Sequence, residues 1–291
     1  MAFDDLQFPT AQTGNRFIRA VKIAIGRLIS WVAPAIAARI AAGQMPPRIG
    51  FVERAVIACQ VHRHMQAGTL DQLAPLHAWL WRGEQAISFH EQAKARFDGF
   101  WLAHHSAIVK PVRQLFEPDS SGVVSAYHKL CEVGCGSGLV LEDIAQRLPD
   151  VQLLVGLDLS ERQTQINRSR DADPRIRFET GDAMAWIPAH GEAGTVYLTV
   201  AGVFEYFPRQ ALQEMFAYMA EHQSPVAVAL IEPIPADYDF ENEDASRPYG
   251  FENSLGHNYL RLLRNLGFTT RFQEIQVVEG QTFLLLVAEK M

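Results

Sequence analysis

The stretch from Lys129 to Leu141 reads Lys-Leu-Cys-Glu-Val-Gly-Cys-Gly-Ser-Gly-Leu-Val-Leu, and it leaves few folds open. An apolar run ends at Glu132, glycines follow at alternate positions (Gly134, Gly136, Gly138), and an apolar-periodic segment, Leu139 to Leu148, begins at once. This is a strand, a tight turn and a helix start. Glycines reach backbone angles that a Cβ forbids and let a ligand lie against the main chain, while the first amides of the following helix face the same cleft. The spacing is selective. A dinucleotide fingerprint needs its third glycine at position 139, which is Leu139, and no Gly-Lys-Ser/Thr follows as a phosphate loop would require.

Twenty residues beyond Gly138, the apolar run Val151 to Leu157 ends in Asp158. In a βαβ unit the strand ends lie side by side, so Asp158 flanks the glycine turn, where a carboxylate accepts both hydroxyls of a ribose. A third run, Ile176 to Thr180, ends in Gly181-Asp182-Ala183-Met184 and places a second acid beside the first.

This ordered set, over about Val124 to Glu289, resembles the class I S-adenosylmethionine-dependent methyltransferases, whose first motif is an acidic residue followed by x-G-x-G-x-G. The resemblance implies an α/β fold: a Rossmann-like, doubly wound, seven-stranded, mostly parallel sheet, here with an N-terminal helical domain. It implies S-adenosyl-L-methionine as cofactor, with Gly134, Cys135, Gly136 and Gly138 against it. Glu132 is then near its methionine amino group, Asp158 and Leu159 near its ribose, and Asp182 with Ala183 near its adenine. Solvated strand-end acids are the plain alternative for Glu132 and Asp158.

At 291 residues with 48% hydrophobic content, the chain can build one large domain or two modest ones. No uninterrupted apolar stretch reaches about 18 residues, so no membrane-spanning helix is expected. Met1 to Gln12 lacks the basic start of a secretory leader. Three cysteines (Cys59, Cys131, Cys135) form an odd, unpatterned set that suits a reducing cytoplasm. A net charge of -7 argues against nucleic acid as a partner. The charge is unevenly placed: between Leu6 and Val52 stand six bases (Arg16, Arg19, Lys22, Arg27, Arg39, Arg48) and no acid, so the rest carries 20 Lys and Arg against 33 acids.

From Phe17 to Ala42, Phe17, Ile18, Val21, Ile25, Leu28, Ile29, Val32 and Ile36 fall at the spacing of one helical face, with Arg19, Lys22, Arg27 and Ser30 opposite. Pro34 kinks or divides this helix. A basic amphipathic helix with a Trp fits a membrane surface; packing on the acidic remainder, or on a second subunit of a homodimer, is the other reading and the preferred one. Further helices are expected over Gly50 to Ala67, Leu70 to Trp81 and Gly83 to Phe116, the last breaking near Gly99 or Pro111. These expected helices make residues 1–117 an all-helical domain ahead of a core at 118–291, and the resemblance implies that such added helices serve as a lid, a substrate wall or a dimerisation contact. His62, His64 and the pair His104-His105 lack the i, i+4 spacing of a shared metal and read as surface or core residues. Trp79, Trp81, Phe89, Phe97, Phe100 and Trp101 form an aromatic concentration, mostly core.

In the second half, Ala193 to Val200 reads as the fourth strand, followed by the loop Ala201 to Pro208. In the resembled family that loop lies beneath the sulfonium, which implicates Gly202. Members that deprotonate a hydroxyl often carry a histidine where this chain has Glu205 and Tyr206. These residues remain as a base, as orienters of an amine or as a border to the cationic methyl group; a buried-core reading of the surrounding aromatics is the alternative. Val226 to Ile231 is a buried parallel strand ending at Glu232-Pro233. The polar segment Ile234 to His257 is long enough for a functional loop and offers Tyr249, Phe251, Glu252, Asn253, His257 and Tyr259 on the substrate side. His257 suits a general base because imidazole titrates near working pH; capping the next helix, Asn258 to Leu266, is its other role. Two final strands, near Thr269 to Val277 and Thr282 to Ala288, match the family's terminal hairpin.

Methyl transfer from a sulfonium needs alignment and water exclusion more than a sharp catalytic constellation. The sequence reading is therefore a methyltransferase acting on a small molecule of secondary metabolism. A cyclase that attacks the cofactor's own γ-carbon and releases methylthioadenosine, in the manner of azetidine-2-carboxylate synthases, is a second reading, and a non-catalytic or membrane-surface scaffold is a third.

Overall fold

Each apolar run ahead of an acid becomes a strand of one sheet. The structure is a computed structural model and describes residues 16–44, 50–82, 99–118, 122–170, 173–249 and 254–291. Strands β1 (Lys129–Val133), β2 (Leu153–Asp158), β3 (Ile176–Thr180), β4 (Thr195–Val200) and β5 (Val226–Ile234) are parallel. β6 (Arg247–Tyr249) and β7 (Ser254–Gly256) form a separate small hairpin. β8 (Thr269–Val278) and β9 (Gln281–Lys290) close the main sheet antiparallel, giving the order β3-β2-β1-β4-β5-β9-β8. This is the doubly wound, mostly parallel, seven-stranded sheet that the sequence implies.

Alternation along the strands builds a core on each face, because successive side chains point to opposite sides. Leu130, Leu154, Val196 and Leu285 face one layer, and Cys131, Val155, Tyr197 and Leu284 the other. β5 is buried along its whole length, as expected of a central parallel strand.

Among its described residues the N-terminal third carries helices and connecting turns but no strand, with α1 (Arg16–Val32), α2 (Pro34–Ala41), α3 (Phe51–Ala67), α4 (Ala74–Arg82) and α5 (Val109–Phe116). Pro34 divides the first amphipathic segment, with a bend of 112° between α1 and α2. The expected helix from Gly83 lies partly outside the described residues, as do Phe89 and Phe97; its described part breaks at His104, between helical residues 99–103 and a 3₁₀ turn, His105–Ile108. Pro111 sits in the first turn of α5, where its missing N–H costs nothing.

Two packing units result. Ile40, Val56, Val61, Leu73 and Leu76 form a cluster among α1 to α4, joined by Leu255 of β7. Trp101, Ile108, Val112 and Phe116 instead enter the core of the sheet. α1 meets α3 at Gly26, where an added Cβ would lie 2.0 Å from the Ala55 carbonyl oxygen. The polar segment after β5 is not wholly irregular: it contains the β6–β7 hairpin, whose three-residue strands are too short to leave a periodic signal.

Helices on the sheet begin at identifiable caps. α6 (Leu139–Arg147) starts from Gly138 in the left-handed region, and α7 (Glu161–Arg168) is capped by Ser160. Asp182 caps α8 (Ala183–His190); α9 spans Arg209–His222, and Asn258 caps α10 (Tyr259–Asn265). Replacing Gly26 by Val should push α1 off α3 at a cost of about 1–3 kcal/mol, read as a lower thermal midpoint by circular dichroism; an unchanged midpoint would refute the close crossing.

Candidate active site

Strand order reverses between β1 and β4, and a crevice opens at that point beyond the carboxyl ends of the parallel strands. A cavity of about 690 Å³ fills it. Glu132, Gly134, Cys135, Gly136, Asp158, Leu159, Asp182, Ala183, Gly202, Glu205 and Tyr206 all line this one space. The facing wall comes from α4 and residues 100–105: His77, Trp81, Arg82, Phe100, Trp101 and His105.

The glycine turn is bracketed on every side. Gly134 and Cys135 donate their N–H groups to the Leu157 carbonyl at 2.7 and 3.0 Å. Asn167 donates to the Gly136 carbonyl at 2.8 Å, and Arg170 donates to that of Ser137. Gly134 has φ 73° and a Cβ there would lie 2.7 Å from Val203, so only glycine fits. Gly138 stands behind the turn rather than on the cavity, since a Cβ on it would meet the Phe178 ring at 2.7 Å. Burial pushes the thiols of Cys131 and Cys135 up, which keeps them protonated.

Two buried carboxylates tie strand ends to loops. Asp158 accepts from the Gly136 N–H at 2.9 Å and the Ser160 N–H at 2.8 Å, which aims its carboxylate along the cavity edge. At the end of β5, Glu232 accepts from Val203 (3.1 Å), Phe204 (3.0 Å) and Glu205 (3.3 Å), gathering the main chain of the 3₁₀ turn Phe204–Tyr206. The chain before that turn is bent sharply, with φ 61° at Ala201 and 94° at Gly202. Ala201 is one of the few non-glycine residues held in this region, and it sits at the cavity. Glu232 is fully buried; desolvation raises its pKa to about 7, and its backbone bonds oppose the rise.

Glu132 is the third buried acid. Its Oε2 has no hydrogen-bond partner, and burial, then the charge of Asp158, hold its pKa well above the ordinary carboxyl value. A buried acceptor lacking a donor costs free energy, which a ligand amine at this position would remove. The orphaned oxygen and the Cβ-intolerant turn together fit a ligand with a cationic end and a flat polar body.

Glu205 is buried, folds its carboxylate over Gly202 and accepts from the Ser254 hydroxyl of β7. Tyr206 meets His77 and Trp81 edge to face at 5.3 and 5.4 Å, so the helical unit rests on the loop after β4. Asp182 caps α8 through the Met184 N–H and pairs with Arg82 at 3.1 Å across the cavity rim.

Two proposed acceptor-side residues lie elsewhere. His257 does not line the cavity; it is fully buried, bonds to Ser246 at 2.6 Å through Nδ1, and burial lowers its pKa to about 4. Its place as general base does not fit this position, and the cap of α10 is Asn258. Tyr259 is also fully buried beneath the site, where burial and the nearby Glu232 and Glu205 charges push its phenol up. Tyr249 ends β6 opposite Ser254. Phe251, Glu252 and Asn253 lie outside the described residues.

Sequence reasoning passed over Glu232 and His105. The signal for Glu232 was available, an acid closing a fully apolar strand just as Asp158 closes β2. His105 gave no local signal. It is fully buried on the cavity against Phe283 (4.7 Å), neither ring nitrogen has a hydrogen-bond partner, and burial lowers its pKa to about 4.

Sheet order, glycine turn and strand-end acids form the Rossmann-like arrangement that the resemblance implies. The family model described as a methyltransferase domain matches residues 130–225, from β1 to the edge of β5. No curated protein matches the sequence. Among solved structures, an S-adenosylmethionine-dependent methyltransferase from Mesorhizobium loti is 16% identical, with 63% of this chain and 98% of that one covered and a TM-score of 0.44. Magnesium protoporphyrin IX methyltransferase from Synechocystis PCC 6803, with bound S-adenosylhomocysteine, is 16% identical over 64% of this chain and 81% of its own, TM-score 0.45. Geranyl diphosphate C-methyltransferase from Streptomyces coelicolor A3(2) is 12% identical over 64% and 79%, TM-score 0.46.

Glu232 generates a pH dependence. Its folded pKa of about 7 lies above the ordinary 4.5, so between these values the folded chain holds a proton that the unfolded chain has lost. Stability from this group is therefore fully present below about pH 4.5 and falls by about 3 kcal/mol as pH rises through 7. In urea titrations at several pH values, the stability difference between wild type and Glu232→Gln should drift by this amount over that window; a constant difference would refute the raised pKa.

Proposed function

We propose that this chain transfers a methyl group from S-adenosylmethionine to a small molecule of secondary metabolism. The observation that carries the reading is the continuity of one cavity, from the glycine turn and the acids of β1 and β2 to an aromatic wall on α4 and residues 100–105. Its volume of about 690 Å³ is in the range of small-ligand sites. An acidic chain with this enclosed site is a poor match for nucleic acid as the acceptor.

When bound, S-adenosylmethionine supplies a methyl group already activated on sulfur. In this reading Glu132 receives the amino end, and Gly134, Cys135 and Gly136 offer main chain along the body of the cofactor. Asp158 with Leu159 takes the ribose, and Asp182 with Ala183 borders the adenine. Glu232 holds the Gly202 to Tyr206 loop rigid beneath the reacting centre. Glu205 and Tyr206 border the acceptor, and His105 offers it a neutral imidazole in otherwise apolar surroundings. Trp81, Arg82 and Tyr206 close the rim and exclude water, which strengthens each polar contact inside.

The test is product analysis by mass spectrometry, with the cofactor alone and then with a panel of alcohols, phenols, amines and carboxylic acids. S-adenosylhomocysteine formed only with an acceptor supports transfer; methylthioadenosine without acceptor means cyclisation and overturns it. In calorimetry with S-adenosylhomocysteine, Asp158→Ala should weaken binding roughly 10- to 150-fold for each charge-assisted bond lost; unchanged affinity would remove Asp158 from the ribose role.

A further inference from the structure

The basic N-terminal helix does not bury its apolar stripe. α1 turns Gly26 toward α3 and sends Ile29 to the helical cluster, yet Val21, Leu28, Trp31 and Val32 remain on its outer side. Trp31 is 80% exposed, Val32 61% and Leu28 58%. Positions 21, 28 and 32 share one helical face, with Trp31 at its margin. Phe51, at the start of α3, is 55% exposed as well. Single exposed apolar residues are ordinary, whereas a stripe that includes a Trp marks a contact surface.

We propose that α1 lies in the surface of an anionic lipid bilayer, with this stripe in the headgroup boundary and Lys22 and Arg27 on its flanks. The charge distribution selects this occupant. The molecule is acidic as a whole, but no acid stands between Leu6 and Val52, so this face, with its exposed apolar side chains and with Lys22 and Arg27 on its flanks, is fitted to a negative surface. A symmetric pairing of this face with a second copy would bring together two patches that both carry Lys22 and Arg27 and no acid, which charge repulsion opposes. Trp is also at home in that boundary, its ring apolar and its N–H wet. Among the described residues no single helix is long and apolar enough to cross a membrane, so the contact is peripheral. It does not depend on the proposed reaction.

The test is cosedimentation of the full chain with vesicles of phosphatidylcholine alone and of phosphatidylcholine mixed with phosphatidylglycerol. Binding to the mixed vesicles, at least tenfold weaker on the neutral ones and weakened by salt, is expected. Lys22→Glu with Arg27→Glu should reduce it by about 30-fold or more. Leu28→Ser with Trp31→Ser should abolish it, while circular dichroism shows both variants folded. Absence of binding to mixed vesicles overturns the proposal, as does binding indifferent to lipid charge and to both double variants. A concentration-dependent dimer in gel filtration that these variants dissolve, without vesicle binding, assigns the face to a second copy and also overturns it.

Discussion

Strand-end carboxylates that accept backbone N–H groups hold the site together. A parallel sheet delivers its loops to one edge but does not shape them, and glycine-rich or sharply bent loops are poor at holding a shape unaided. Asp158 anchors the glycine turn after β1 through Gly136, and Glu232 anchors the loop after β4 through Val203, Phe204 and Glu205. Burial strengthens each such bond, because the alternative is a carboxyl group stranded away from water. The cost appears in the raised pKa of Glu232 and in the orphaned oxygen of Glu132. The orphaned oxygen on the cavity wall is the chemical feature that a cationic group would satisfy.

Order along the chain made the fold legible. Each of the first five strands is a short apolar run followed by a turn or an acid, and the helices between them begin at Gly138, Ser160 and Asp182, residues with recognisable cap chemistry. Glu132, Asp158, Gly134 and Gly136 could be placed at the cavity from sequence because neighbouring parallel strands bring their ends into register, whereas Gly138 lies behind the turn. The β6–β7 hairpin could not, since three residues carry no period and a proline such as Pro248 is a poor strand signal.

The acceptor side was much less legible. His77, Arg82 and His105 are separated from the glycine turn by a long helical stretch, and nothing in their local sequence says that they face it. His105 stands beside His104, and the sequence leaves both as surface or core residues; only the fold shows that one is buried against Phe283 and the other is not. His257 shows the opposite error. Its residue type suited a base and its loop suited a substrate mouth, yet the chain turns it inward to Ser246. Chemistry by residue type is a weak guide where the loop path is unknown.

The seam between the helical unit and the sheet is slight where it matters most. Among the described residues, the contacts across the rim include the edge contacts of His77 and Trp81 with Tyr206 and the largely exposed Arg82–Asp182 pair, an ion pair of a kind worth little in water. The glycine turn and the strand-end acids on one side of the cavity, and α4 on the other, thus belong to two packing units with a modest joint at the rim. A substitution on α4 can therefore reshape one wall of the cavity while the glycine turn and the strand-end acids keep their own hydrogen bonds.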